Sequence, residues 1–88
     1  MCLVGVWAQV WGASVMIADM VATGAIDCAG RSVLELGCGC GIAGLAAAVW
    51  GAAATVHLTD NAEVCAPGSN LHQNVAGNGG GAACGIYY

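Results

Sequence analysis

The sequence predicts an α/β fold: a doubly wound parallel sheet represented by its N-terminal βαβ part, with one helix ahead of it. Three observations predict it. "VLELGCGCGIAGLAAAVWGA", residues 33–52, joins a short apolar run to a cluster of glycines and then to an alanine-rich run. "TVHLTD", residues 55–60, follows with the alternation and β-branched residues of a second strand. Strand, glycine turn, helix and strand in that order make a unit with parallel strands and a right-handed crossover. Ligands of such sheets bind beyond the carboxyl ends of the strands.

The N-terminal stretch "MCLVGVWAQVWGASVMIADMVATGAI" is apolar enough to raise a membrane-spanning or signal-peptide reading. It lacks a basic leader and a Lys/Arg flank, and Gln9 and Asp19 interrupt it, so no membrane role is expected. It reads instead as a helix from about Val10 to Thr23, with Trp11, Val15, Ala18 and Ala22 at helical spacing. Gly24 can end that helix in the left-handed conformation. Periodicity alone favours a core position for Trp11 over a place in the wall of a ligand site. "RSVLELG" is a short buried strand closed by glycines. Ile42 to Trp50 has the alanine content of a helix, with Gly51 as its stop. After Asp60, "NAEVCAPGSNLHQNVAGN" is split by Pro67 and Gly68, leaving Ser69 as the N-cap of a short second piece. "GNGGG" is a linker by composition, and "CGIYY" is a candidate start of a third strand.

Composition excludes several function classes. A chain of 88 residues is one small domain of marginal stability. Arg31 is its single basic residue besides two histidines, against five acids and a net charge of -4, so a phosphate backbone finds no basic patch and no nucleic acid partner is expected. The six cysteines show no regular disulfide framework, which points to a reducing intracellular compartment. Cys38 and Cys40 form one close pair with no second pair nearby, poor evidence for zinc, and they read as small turn residues; no metal is expected. His57 and His72 pair with no serine or cysteine in a catalytic pattern.

Two overlapping motifs carry the chemistry. Gly39-Cys40-Gly41-Ile42-Ala43-Gly44 satisfies the G-x-G-x-x-G template, and Glu35-Leu36-Gly37-Cys38-Gly39-Cys40-Gly41 satisfies a different one. Glycines at a strand-to-helix turn allow positive φ and leave no Cβ in the way of a ligand, while the following helix presents unpaired N–H groups. Asp60, about 20 residues further on at the end of the next strand, can accept both hydroxyls of a ribose. So far a nicotinamide or flavin nucleotide and S-adenosylmethionine fit equally well. Glu35 separates them, because a carboxylate there repels a pyrophosphate but suits a ligand with an ammonium and a sulfonium. The competing reading of Glu35 is a strand residue that reaches solvent or a helix N-terminus; it is the lesser one, since an acid in an apolar parallel strand is costly without partners.

"VLELGCGCGIAGLAAAVWGA" with "VHLTDN", preceded by "VWAQVWGASVMIADMV", resembles the class I S-adenosylmethionine-dependent methyltransferases. Within them it is similar to the seven-strand group called methyltransferase family 16, which includes protein-lysine methyltransferases. The resemblance covers about residues 6–78. It implies a Rossmann-like domain with S-adenosylmethionine as cofactor. Gly37, Cys38 and Gly39 would line the methionine part, Glu35 would face the ammonium, Asp60 would bind the ribose and Asn61 would approach the adenine. It also makes Trp11 a cofactor contact from the first helix rather than core alone. The implied activity is methyl transfer to a protein side chain, lysine above all, so the implied partner is a protein substrate in the cytoplasm or nucleus. No catalytic residue is implied within these positions. Gly12 after the Val-Trp pair and the Pro67-Gly68 break depart from the family pattern. Residues 1–88 carry no strand supplying an aromatic against the adenine, so they are expected to be the N-terminal part of such a domain and inactive alone. The alternatives are an NAD(P)-binding oxidoreductase fragment and a non-functional truncated product.

Overall fold

The computed structural model of the chain describes residues 12–78 and 83–87. The elements run α1 (Gly12–Ala22), β1 (Ser32–Leu36), α2 (Ile42–Val49), β2 (Thr55–Thr59), α3 (Asn70–Asn78) and β3 (Ala83–Tyr87). The strands form one parallel sheet in the order β1-β2-β3. Val33 lies beside Val56 and Glu35 beside Leu58 in the first pair, and Val56 lies beside Cys84 and Leu58 beside Ile86 in the second. Side chains alternate across a strand, so these residues share the face on which α2 packs. The first four residues of "CGIYY", 84–87, do therefore enter a third strand, which begins at Ala83.

Small side chains explain how closely α2 approaches the sheet. Ala43, Gly44, Ala46, Ala47 and Ala48 are all buried, and a helix with so little on its inner face can sit low over the strands. Val56, Leu58 and Leu71 are the largest fully buried side chains, each worth about 1.5–3 kcal/mol by burial. Both α1 and α3 pack against α2, so the three helices cover the same side. The other face of β1 carries Leu34 and Leu36, 62% and 77% exposed.

The helix ends follow backbone chemistry. Gly24 takes φ 84° just after α1, and its N–H donates to Val21 O at 3.2 Å, the left-handed stop expected of it. Trp11, at the expected start of that helix, lies outside the described residues. The sequence extends α2 to Trp50, whereas the helix proper closes at Val49, with Trp50 as its C-cap donating to Ala46 O at 2.9 Å. After Asp60 a single turn forms: Asn61 Oδ1 accepts the Val64 N–H at 3.0 Å and Asn61 O accepts the Cys65 N–H at 3.1 Å. Pro67 and Gly68 then break the chain, with Gly68 at φ 80°. Ser69 caps α3 as the sequence predicts, its Oγ accepting the His72 N–H at 3.4 Å and its carbonyl the Gln73 N–H at 3.0 Å.

Each histidine has a contact within the fold. His57 lies in β2 with its ring 5.3 Å from that of Tyr87, and His72 Nε2 is 2.9 Å from Cys65 O. Cys28, Cys38, Cys65 and Cys84 are free thiols. Among the described residues no helix is long and apolar enough to cross a membrane, and no cluster of His, Cys, Asp and Glu could hold a metal ion.

Candidate functional site

β1 and β2 end level with each other, Leu36 beside Thr59, and the chain leaves β1 into a loop over residues 37–41. Gly37, Gly39 and Gly41 all have positive φ, at 67°, 55° and 84°. The alternation of glycine and cysteine thus places glycine at each position that an L side chain resists. The loop is tied to the end of β2 by two bonds. Cys38 N–H donates to Thr59 O at 2.9 Å, and Gly39 N–H donates to Asp60 Oδ2 at 2.8 Å. Asp60 Oδ1 accepts the N–H of Asn61 at 2.7 Å, so both carboxylate oxygens are oriented by backbone donors. Gly41 N–H donates to Cys38 O at 2.9 Å and closes the turn into α2.

Glu35 sits beneath this loop on the α2 side of the sheet. Its Oε1 accepts the Gly44 N–H at 2.9 Å, in the first turn of α2, where unpaired N–H groups and the positive end of the helix dipole favour a carboxylate. The helix-terminus reading of Glu35 therefore describes one of its oxygens. Thr59 Oγ1 donates to the Glu35 carbonyl at 2.7 Å and fixes the same residue from β2. Gly44 admits the arrangement because a Cβ there would overlap Leu58 Cδ2 and lie 2.9 Å from Glu35 Oε1. The last glycine of G-x-G-x-x-G, whose general role is close helix–strand packing, carries that signal in the sequence, whereas nothing in the motif marks Thr59.

Electrostatics around the loop follow from burial and two neighbouring acids. Burial raises the Glu35 carboxyl above its usual range, the Gly44 N–H pulls it back, and Asp60 raises it further. The Cys38 thiol is pushed up to about 12, first by burial and then by Glu35, Asp60 and Cys65. It stays neutral at physiological pH, which suits a small turn residue and not a thiolate nucleophile. Asn61 is exposed and directs its Oδ1 back to Val64.

Glu35 gives stability a definite pH dependence. Its folded pKa exceeds the ordinary 4.5, so the folded chain keeps a proton that the unfolded chain has released. The contribution is fully present below 4.5 and is lost as pH rises through the folded value. In Glu35→Gln, which keeps an acceptor for Gly44, the melting temperature should fall less steeply over that window than in the unchanged chain. Parallel melting curves against pH would assign the dependence to another group.

A Cβ built on Gly37 would meet nothing within 4 Å, so the bare backbone borders open space. Two carboxylates flank the loop, and the sole arginine, Arg31, stands apart, paired with Asp27 at 3.7 Å on the surface.

The sequence matches a family model described as lysine methyltransferase over residues 2–85. It is 37% identical over 71 residues to the protein N-lysine methyltransferase METTL21A of Danio rerio, covering 81% of this chain and 32% of that protein. It is 42% identical over 52 residues to METTL21A of Mus musculus, covering 59% of this chain and 24% of that protein. With the EEF1A lysine methyltransferase 3 of Mus musculus it shares 35% identity over 83 residues, 93% of this chain and 35% of that protein. The chain thus spans about a third or less of the length of these curated relatives.

Proposed function

The chain belongs to the lysine methyltransferase family, and on that premise we propose that residues 1–88 form cofactor-binding machinery of an S-adenosylmethionine-dependent methyltransferase whose acceptor is a lysine of a protein. The observation that carries this reading is the carboxylate of Asp60 locked onto the Gly39 N–H at 2.8 Å, beside a glycine loop open to solvent at Gly37. A lysine acceptor is what the names of the relatives specify.

S-adenosylmethionine, when bound, supplies an electrophilic methyl group on a sulfonium sulfur. The chain's own residues bind and orient. Each Asp60 oxygen uses one lone-pair site on a backbone N–H and keeps another for a ribose hydroxyl. The two N–H groups hold the carboxylate in one rotamer, so little ordering is left for binding to bring about. Gly37 presents exposed backbone without bulk to the methionine part, and Cys38 and Gly39, both buried, continue the loop. Glu35 and Asp60 favour a ligand with positive charge and disfavour a pyrophosphate, which sets this reading above an NAD(P)-binding one. Trp11 and Asn61 complete the set by resemblance to the family. Methyl transfer from a sulfonium needs alignment of the acceptor more than a proton relay, so a site built from orienting groups is adequate to this half of the task.

Asp60→Ala should weaken S-adenosylmethionine binding by about 1.5–3 kcal/mol, the usual loss for hydrogen bonds to a charged group. Calorimetric titration of the unchanged chain and the variant with S-adenosylmethionine, and separately with NAD, checks both the residue and the cofactor class. Equal affinity of the two chains would remove Asp60 from the site, and preferential binding of NAD would replace the methyltransferase reading.

A further inference from the structure

We propose that Asn74, on α3, is a positioning residue for the glycine loop, resting on the reading of that loop as the S-adenosylmethionine site. Its Nδ2–H donates to the Cys40 carbonyl at 3.0 Å, across 34 residues of chain. Only the amide nitrogen can serve a carbonyl, so the bond needs asparagine's donor and not merely its size.

The bonded carbonyl is at a decisive place. Cys40 precedes Gly41, the N-cap of α2, which stands at φ 84° with no side-chain hydrogen bond of its own to hold it. Rotation of the Cys40–Gly41 peptide would swing the Gly41 N–H off Cys38 O and shift the Gly39 segment that meets Asp60. Asn74 opposes that rotation from outside the loop. A second contact acts in the same sense: a Cβ on Gly41 would stand 2.8 Å from Leu71 Cδ1, so α3 also presses on the loop through the fully buried Leu71. The loop is therefore held on one side by the end of β2, through Thr59 O and Asp60, and on the other by α3, through Asn74 and Leu71. A loop pinned on both sides meets its ligand already shaped.

The test is calorimetric titration of the full chain with S-adenosylmethionine, together with amide hydrogen exchange, on Asn74→Asp and Asn74→Ala. Asn74→Asp keeps the shape and loses the donor. Asn78→Ala is the control, because Asn78 Nδ2 donates to the Asn74 carbonyl at 3.0 Å within the same helix and leaves the loop untouched. Both Asn74 variants should bind about 10-fold more weakly, the loss of one oriented hydrogen bond. Exchange at Gly39 and Gly41 should quicken while Val56 and Leu58 in β2 keep their protection, and Asn78→Ala should match the unchanged chain within about twofold. Unchanged affinity and exchange in Asn74→Asp would overturn the proposal. So would loss of protection at Val56 and Leu58, which would make Asn74 a residue of general stability. Failure of the unchanged chain itself to bind would count against the cofactor reading, and the inference would fall with it.

Discussion

Gly44→Ala is expected to destabilise the chain by about 2–3 kcal/mol, although alanine is the better helix former by about 1 kcal/mol. The added methyl would overlap Leu58 Cδ2 and stand 2.9 Å from Glu35 Oε1 and 3.2 Å from Val56 Cγ1. Leu58 and Val56 are fully buried, so neither has space to retreat into. Glu35 could yield only by leaving the Gly44 N–H, which would forfeit a charge-assisted bond in a partly buried place. The remaining course is for α2 to lift from the sheet, uncovering apolar surface along Ala43, Ala47 and Ala48. Denaturant unfolding measures the change. Gly77→Ala on α3 is the comparison, since its Cβ would meet nothing within 4 Å and should leave stability level or slightly raised. If Gly44→Ala proved as stable as Gly77→Ala, α2 would not be seated on the sheet as described.

That contrast between two helical glycines shows where sequence reasoning reaches and where it stops. The order of elements was legible because each carries a local cause: β-branched runs for the strands, alanine for α2, Ser69 as a cap, Gly24 as a left-handed stop. The strand from Ala83 was visible only in part, because a short apolar run after a glycine-rich linker has no periodicity to distinguish it. Gly44 differs from Gly77 in sequence only as the last glycine of G-x-G-x-x-G, and it is the close packing of α2 on β2 that makes it irreplaceable.

The site was legible to the same degree. Gly37, Gly39 and Asp60 stand out because a motif fixes their spacing, and the fold does bring Gly39 and Asp60 within one hydrogen bond of each other. Glu35 was recognisable as an anomaly, an acid in an apolar strand, but its partner on α2 could not be read from a strand alone. Asn74 gave no signal, because one polar residue on a largely polar helix is unremarkable until the fold sets it beside Cys40. Contacts between elements distant in sequence are the part that local chemistry leaves open.

Gly37→Val is expected to abolish S-adenosylmethionine binding while leaving the sheet formed. Gly37 has φ 67°, where a β-branched residue is under real strain, yet nothing lies within 4 Å of the position its Cβ would take. The cost to the fold is therefore backbone strain at one residue just beyond β1, of order 1–3 kcal/mol, with no clash in the core. The cost to a ligand is larger in kind. The branched side chain would fill the open space beside the loop, and relief of the strain would turn the peptide leading to Cys38, whose N–H holds Thr59 O at 2.9 Å. Gly39 and its bond to Asp60 would move with it, so the variant would lose the open space and the orientation of the Asp60 carboxylate together. Gly68→Val makes the informative comparison, since Gly68 has φ 80° and an equally open Cβ position but lies in the turn before α3 and not in the loop over residues 37–41. Both variants should lose similar stability in denaturant, and only Gly37→Val should lose binding by calorimetry. Normal affinity in Gly37→Val would place the cofactor elsewhere on the chain, whereas equal loss of binding in both would trace the effect to strain and not to the space that Gly37 keeps clear.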